Sequence, residues 1–417
     1  MEEILRLMNP WWENRQFELG ITRELYLLKI MELLKFKEIV IITGVRRVGK
    51  TTIIFQVIEH LIKEKKVNPN HILYVTLDHP HFIKTTVEEI IREFRKIHKL
   101  DRKEKIFVFL DEIQHINEWE KYLKIFYDIE NVKIVVSGSS ATLIKKQSPY
   151  ITGRFIKIDV WPLDFNEFLV FKQAKISKTE EYKYEKYLDD YLKTGGLPFF
   201  VLHENIDYLS DMIESVVFKD IVQLYSIKYP KAVENLLLLM AARIGQKTSF
   251  NKLKNILALS LDTIKEYLYY LELSFIITPI KKFSYSINEQ IYSAHKYYFL
   301  DNGIRNVLIG FKDFGSLAEN ALAIYLKRQF KEVFYYQNKK EIDFIIKSKG
   351  ITIPLESKYG EEISNEEVKV ILNFMKEKRL NIGYIISKNI NKEIKERKKK
   401  IRIIPLWKLL IGKVNIF

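Results

Sequence analysis

The chain contains no cysteine at all. Disulfide bridges and thiolate metal sites are therefore excluded. It also lacks any uninterrupted apolar run near the roughly 20 residues that span a bilayer. Leu236 to Met240 is apolar but short, and it reads as buried helix. Met1-Glu2-Glu3-Ile4 offers neither a basic region nor an apolar core, so no secretory leader is expected. These absences predict a cytoplasmic protein with no membrane partner. Acidic side chains are in deficit, 53 Asp and Glu against 68 Lys and Arg, leaving a formal charge of +15. That imbalance suits a polyanion such as nucleic acid, and it equally suits a lysine-rich solvated surface; it speaks to association and not to fold. Richness in Ile, Lys and Glu without cysteine is compatible with a heat-adapted protein. At 417 residues the chain has room for about two to four domains.

What is present is organised around one stretch, Gly44-Val45-Arg46-Arg47-Val48-Gly49-Lys50-Thr51-Thr52. It follows a buried-strand pattern, Ile39-Val40-Ile41-Ile42, and opens into a helical one, Thr52 to Ile58. Strand, glycine loop, lysine and helix form the phosphate-binding pattern G-x-x-x-x-G-K-[ST] in its required context. The glycines let successive amides turn toward a phosphate chain, and the helix start adds partial positive charge. Lys50 can reach the β- and γ-phosphates, and the Thr51 hydroxyl can hold Mg²⁺.

Ile72 to Asp78 reads as a second strand and Val87 to Leu100 as a helix. Ile106-Phe107-Val108-Phe109-Leu110 then runs into Asp111-Glu112. A strand buried on both faces delivers such acids to the carboxyl edge of an open α/β sheet, where ligands sit. Asp111 is placed to hold the Mg²⁺ shell, and Glu112 to orient or deprotonate an attacking water. Lys133 to Val136 is a further strand ending in Ser137-Gly138-Ser139-Ser140. These hydroxyls, Ser139 foremost, either sense the γ-phosphate or cap a following helix. Arg154 is either a nucleotide-reaching arginine or an ordinary surface charge. Trp11 and Trp12 are expected to pack against the domain, given the area each ring buries.

The wording of Gly44 to Thr52, Asp111-Glu112-Ile113-Gln114, Trp119, Ser137 to Ser140, Gly153-Arg154-Phe155, Trp161-Pro162-Leu163 and Phe165-Asn166-Glu167-Phe168 resembles archaeal ATPases of the AAA superfamily. The resemblance implies ATP with Mg²⁺, hydrolysis that drives conformational output, a helical lid after the core, and a nucleotide-responsive role for Arg154, within or between subunits. Oligomerisation stays open. The expected fold is α/β: a P-loop AAA-type core over 1–163 and a helical lid over 164–243, broken at Thr194-Gly195-Gly196-Leu197-Pro198. A winged-helix-like unit over 244–292 follows, then a restriction-endonuclease-like α/β domain over 293–417. The winged-helix reading rests on helices near Asn251–Leu257 and Asp262–Leu273, a strand at Phe275 to Ile277 and a Tyr/Ser-rich hairpin. Asp262, Glu266 and Glu272 beside Lys265 make the second helix a poor base reader, which favours a packing role or a protein partner for this unit.

In the last part, Glu341 to Ile346 and Ile351 to Lys358 form a hairpin, with a helix from about Gly315 to Phe330 carrying Glu319. With the turn centred at Ser348-Lys349, Asp343 lies near Pro354 and diagonal to Glu356, and Glu356 shares a face with Lys358. Asp343, Glu356, Lys358 and Glu319 resemble the PD-(D/E)xK nuclease motif. The resemblance implies Mg²⁺ on Asp343, Glu356 and Glu319, a catalytic Glu356 and Lys358, and DNA as partner. A surface salt-bridge strip is the plainer alternative. The basic run Lys392 to Arg402 reads as a tail, either gripping phosphates or merely solvated. Two outputs follow for the ATPase. It controls a DNA-processing nuclease, or its nucleotide state switches a non-catalytic scaffold.

Overall fold

A computed structural model describes residues 1–139, 152–338 and 340–416; Ser140 lies outside them. The chain resolves into two compact units, Met1–Trp161 and Pro162–Phe417. The first contains, in order, α1 (Glu2–Met8), α2 (Glu24–Leu33), β1 (Ile39–Thr43), α3 (Lys50–Lys63), β2 (Ile72–Thr76), α4 (Val87–His98), β3 (Ile106–Asp111), α5 (Trp119–Ile129), β4 (Val132–Gly138) and β5 (Phe155–Asp159). Its five strands are all parallel, in the order β2-β3-β4-β1-β5. Ile39 to Ile42 and Ile106 to Leu110 are buried on both faces, as a parallel sheet covered by helices demands.

This topology sets the position of the site. The chain leaves β1 for the far edge at β2, returns through β3 and β4, and then steps over β1 to β5. The order reverses beside β1, and in open α/β sheets ligands bind beyond the carboxyl ends at that reversal. Registers of Thr43 with Gly138 and of Leu110 with Val136 bring the ends of β1, β4 and β3 to one edge. The other side of β2 is an open strand edge, which Asn9 closes. Its amide donates to the Tyr74 carbonyl at 2.8 Å and its carbonyl accepts from the Tyr74 amide at 2.7 Å. The indoles of Trp11 and Trp12 both donate to the Ile72 carbonyl, so the tryptophan pair packs on this domain as expected.

The second unit begins with helices α6 (Phe165–Phe171), α7 (Lys183–Thr194), α8 (Pro198–His203), α9 (Ile206–Ser215), a wider-wound continuation at Val216–Gln223, and α10 (Pro230–Ala242). The glycine break sits where the sequence places it, and contact explains the residue choice. A Cβ on Gly195 would stand 2.2 Å from the Asp301 carboxylate, and one on Gly196 2.2 Å from the Leu163 carbonyl. After it come β6 (Lys247–Thr248), α11 (Phe250–Leu257), α12 (Leu261–Leu273), β7 (Ile277–Lys282), α13 (Ile287–Tyr292) and β8 (His295–Phe299). The Tyr/Ser-rich stretch expected to be a hairpin instead contains α13, because Ser286 caps it by accepting from the Glu289 amide.

The rest is α14 (Asn302–Ile309), α15 (Phe314–Gln329), β9 (Glu332–Gln337), β10 (Glu341–Ser348), β11 (Ile351–Lys358), α16 (Asn365–Glu377), β12 (Ile382–Ser387), β13 (Lys392–Glu396), β14 (Lys399–Pro405) and α17 (Leu406–Leu410). One nine-stranded sheet joins β6 to β14 in the order β13-β14-β12-β11-β10-β9-β7-β8-β6. Its core gathers Ile342, Ile345, Ile371, Met375, Ile385, Ile401 and Ile403. Two expectations need correction. The β10–β11 turn is Lys349-Gly350, both at positive φ (48° and 78°), which is the two-residue turn that matches strand twist. Phe344 therefore faces Leu355, and continuing that register sets Asp343 directly opposite Glu356, not diagonal to it. The basic run from Lys392 is not a tail either. It is the β13–β14 hairpin at the sheet edge, where Glu393 pairs Lys400 at 2.6 Å and Glu396 pairs Lys376 at 2.7 Å.

Candidate functional site

The loop after β1 bends through three left-handed residues, Gly44 (φ 154°), Arg47 (62°) and Gly49 (94°). Alternating handedness of this kind aims successive amides at one point. Gly44 is also forced by contact, since a Cβ there would meet the Val160 carbonyl at 2.4 Å. Lys50, buried at the start of α3, donates to the carbonyls of Gly44 and Val45 at 3.1 and 3.2 Å and so spans the loop's own mouth. Val45 and Val48 point into the core while Arg46 and Arg47 are more exposed. Arg23, which the sequence did not single out, is buried and holds the loop from behind, donating to the Val48 carbonyl at 3.1 Å.

Asp111 is the hub. Its Oδ2 accepts from the Thr51 hydroxyl at 2.5 Å and from the Tyr74 phenol at 3.1 Å. Its Oδ1 accepts from the Ser137 hydroxyl and, at 3.2 Å, from the Glu112 amide. Burial pushes this carboxyl above its ordinary range, against the pull of the Thr51 bond and the Lys50 charge. Glu112 sits in the left-handed region (φ 53°), an uncommon state for a side chain of this kind, and its carboxylate accepts from the Gln114 side-chain Nε2. The backbone turns so sharply after Asp111 that the two acids leave the strand in different directions. Thr51 and Asp111 are hard oxygen donors meeting at one point, which fits a magnesium ion that keeps most of its waters.

Tyr74 and Ser137 also touch Asp111, and they are the residues that sequence reasoning missed or ranked too low. β4 continues to Gly138, and Ser137 rather than Ser139 is the hydroxyl bonded to Asp111. Ser139 is buried just beyond, at the same edge. Arg154 stands elsewhere. Its guanidinium pairs with Asp128 at 3.3 Å and lies over Tyr127, and its carbonyl accepts from the Ile39 amide at the start of β1. At about 3.3 Å per residue along β5, that is ~16 Å from the loop edge. Within its own chain the sheet keeps Arg154 away from the phosphate loop.

In the second unit the four residues of the D…ExK pattern do come together, with company. Asp343 accepts from the Ser357 amide at 3.0 Å, Glu356 accepts from the Asp343 amide at 3.2 Å, and Lys358 pairs with Glu356 at 2.9 Å. Glu319 on α15 accepts from the Tyr298 phenol at 2.7 Å. Lys296 on β8, unremarked in the sequence, is buried among them. Burial, and then the Asp343 charge, push both Glu319 and Glu356 up to about 7. Burial alone would lower Lys296 and Lys358, but the surrounding carboxylates hold both above their ordinary value.

The parallel sheet, phosphate loop and paired acids define the first unit as the core of a P-loop ATPase-like protein. Comparison with known proteins agrees. The family described as "AAA domain" matches residues 36–169. Two families described as domains of unknown function (DUF8612 and DUF4143) match 185–314 and 314–409. An uncharacterized protein of Haemophilus influenzae is 30% identical over 342 residues, covering 78% of this chain and 83% of that one. The chain belongs to the same family as that protein. An uncharacterized protein of Methanocaldococcus jannaschii is 29% identical over 399 residues, covering 89% of this chain and 88% of its own. Among solved structures, the Walker-type ATPase of Pyrococcus abyssi is similar at TM-score 0.41 and 15% identity over 69% of this chain and 95% of that one. No helix among the described residues is long and apolar enough to cross a membrane.

Proposed function

We propose that the first unit binds ATP with Mg²⁺ and hydrolyses it. The observation that carries this is the meeting of Thr51 and Asp111 beside a loop gathered around Lys50, with Glu112 one residue on. The amides of Gly44 to Thr52 would cradle the phosphates, and the Lys50 ammonium would neutralise charge gathering on the β- and γ-phosphates. Thr51 and Asp111 would hold the magnesium ion, which supplies charge neutralisation along the phosphate chain. Glu112, steadied by Gln114, would orient the attacking water and take its proton. Arg154, paired with Asp128 away from the loop, would more readily reach a nucleotide held by a neighbouring subunit. The nucleotide state then controls the second unit, with a polyanion such as DNA, or a protein docking on α11 and α12, as the partner.

The test is ATP turnover by the parent, Lys50→Ala and Glu112→Gln. Lys50→Ala is expected to lose nucleotide binding. Glu112→Gln is expected to bind ATP and fall at least 100-fold in turnover, the upper scale of general-base effects being about 10⁴. Parent-like hydrolysis by both variants would overturn the assignment.

A further inference from the structure

The acids of the second unit enclose a charge that belongs to the protein. The Lys296 ammonium, with its side chain only 3% exposed, lies 2.6 Å from Glu341, 3.3 Å from Asp343 and 3.6 Å from Glu319. Both oxygens of Asp343 and of Glu356, and one of Glu319, have partners within the protein. Asp343 gives one to Lys296 and one to the Ser357 amide. Glu356 gives one to Lys358 and one to the Asp343 amide. Glu319 shares an oxygen between the Tyr298 phenol and Lys296. Among the described residues no group of three acids or histidines is disposed to hold a metal ion. A magnesium ion demands oxygens at about 2.0–2.1 Å in near-octahedral order, together with several waters. The donor set of Asp343, Glu356 and Glu319 does not fit that demand, because the Lys296 ammonium lies 3.3 Å from Asp343 and 3.6 Å from Glu319, and the Lys358 ammonium 2.9 Å from Glu356, against the oxygens the ion would need. A divalent ion would also have to sit against two positive charges.

We propose that Lys296 is the resident cation of this site, taking the place a catalytic metal holds in the nuclease pattern that Asp343, Glu356 and Lys358 match. The ammonium offsets part of the acids' charge and ties β8 to β10 and α15, so the constellation is a buried charge lock. The unit keeps the nuclease-like arrangement of side chains and binds through its surface without cutting. This concerns the second unit alone and stands whether or not the first hydrolyses ATP.

The test counts Mn²⁺ bound to the full, nucleotide-free chain by electron paramagnetic resonance, comparing the parent with Glu356→Gln, Lys296→Met and the double variant. Parent and Glu356→Gln are expected to bind the same number of ions, and neither to nick plasmid DNA with Mn²⁺. Lys296→Met, left with uncompensated carboxylates, is expected to gain one ion per chain and to lose it again in the double variant. A parent ion that weakens tenfold or more in Glu356→Gln, or nicking that Glu356→Gln abolishes, overturns the proposal. So does a folded Lys296→Met that gains no ion. Should that variant fail to fold, the parent against Glu356→Gln still decides.

Discussion

A single carboxylate shows how much of the first unit's chemistry rests on individual atoms. Asp111 has four donors, and Tyr74 and Ser137 would act on the proposed magnesium site only through it. Tyr74→Phe keeps the ring and removes one charge-assisted bond. Turnover is expected to fall about tenfold, equivalent to ~1.4 kcal/mol, with the melting temperature little changed. A kcat equal to the parent's would show that the phenol does nothing for Asp111. That Lys50, Thr51 and Asp111 come together was legible because each sits at a fixed offset from a glycine or a strand end. Tyr74 was not, because Ile72-Leu73-Tyr74-Val75-Thr76 reads as an ordinary buried strand and nothing local says that its phenol crosses to β3. Lys296 carried a faint signal, one lysine followed by buried aromatics in β8. A charged residue on such a strand needs partners, and they lie far away in sequence.

At the scale of elements, strands and helices were read well where apolar runs and caps agree, and less well where a turn decides register. The β10–β11 hairpin was recognised, but its facing pairs depended on which two residues adopt positive φ, and Lys349-Gly350 took that role. Long-range seating was invisible in sequence. Asp301 caps α14 by accepting from the Ile304 amide at 3.1 Å and also accepts from the Gly196 amide at 2.5 Å, so the glycine break is docked on a buried acid. Burial raises this carboxyl from 3.8 to about 6 despite those bonds. The unfolded chain therefore loses its proton first. The contribution of this group to stability is expected to fall as pH rises from about 4 to about 6, by on the order of 3 kcal/mol at ~1.4 kcal/mol per unit, and then to level off. Asp301→Asn should flatten that slope in denaturant titrations across the window. An unchanged slope would mean that another group is responsible.

For the whole molecule the charge of +15 is the broadest property, and it bears on what the protein meets. The β13–β14 hairpin presents Lys395, Arg397 and Lys398 to solvent. Replacing all three with alanine is expected to reduce the salt dependence of duplex-DNA binding, lowering the slope of log K against log salt by about 2–3. A slope equal to the parent's would place the contacts elsewhere, and no binding at low salt would remove DNA as a partner. In a molecule made of an ATPase-like first unit and a second unit whose acid cluster holds its own cation, the proposed nucleotide site carries the chemistry. Calorimetric titration of ATP with Mg²⁺ into the folded chain tests that site most directly. One ATP per chain is predicted, with affinity weakened at least 100-fold in Lys50→Ala, a change of ~2.7 kcal/mol. Absence of heat from the folded parent, or equal binding by parent and Lys50→Ala, would contradict it.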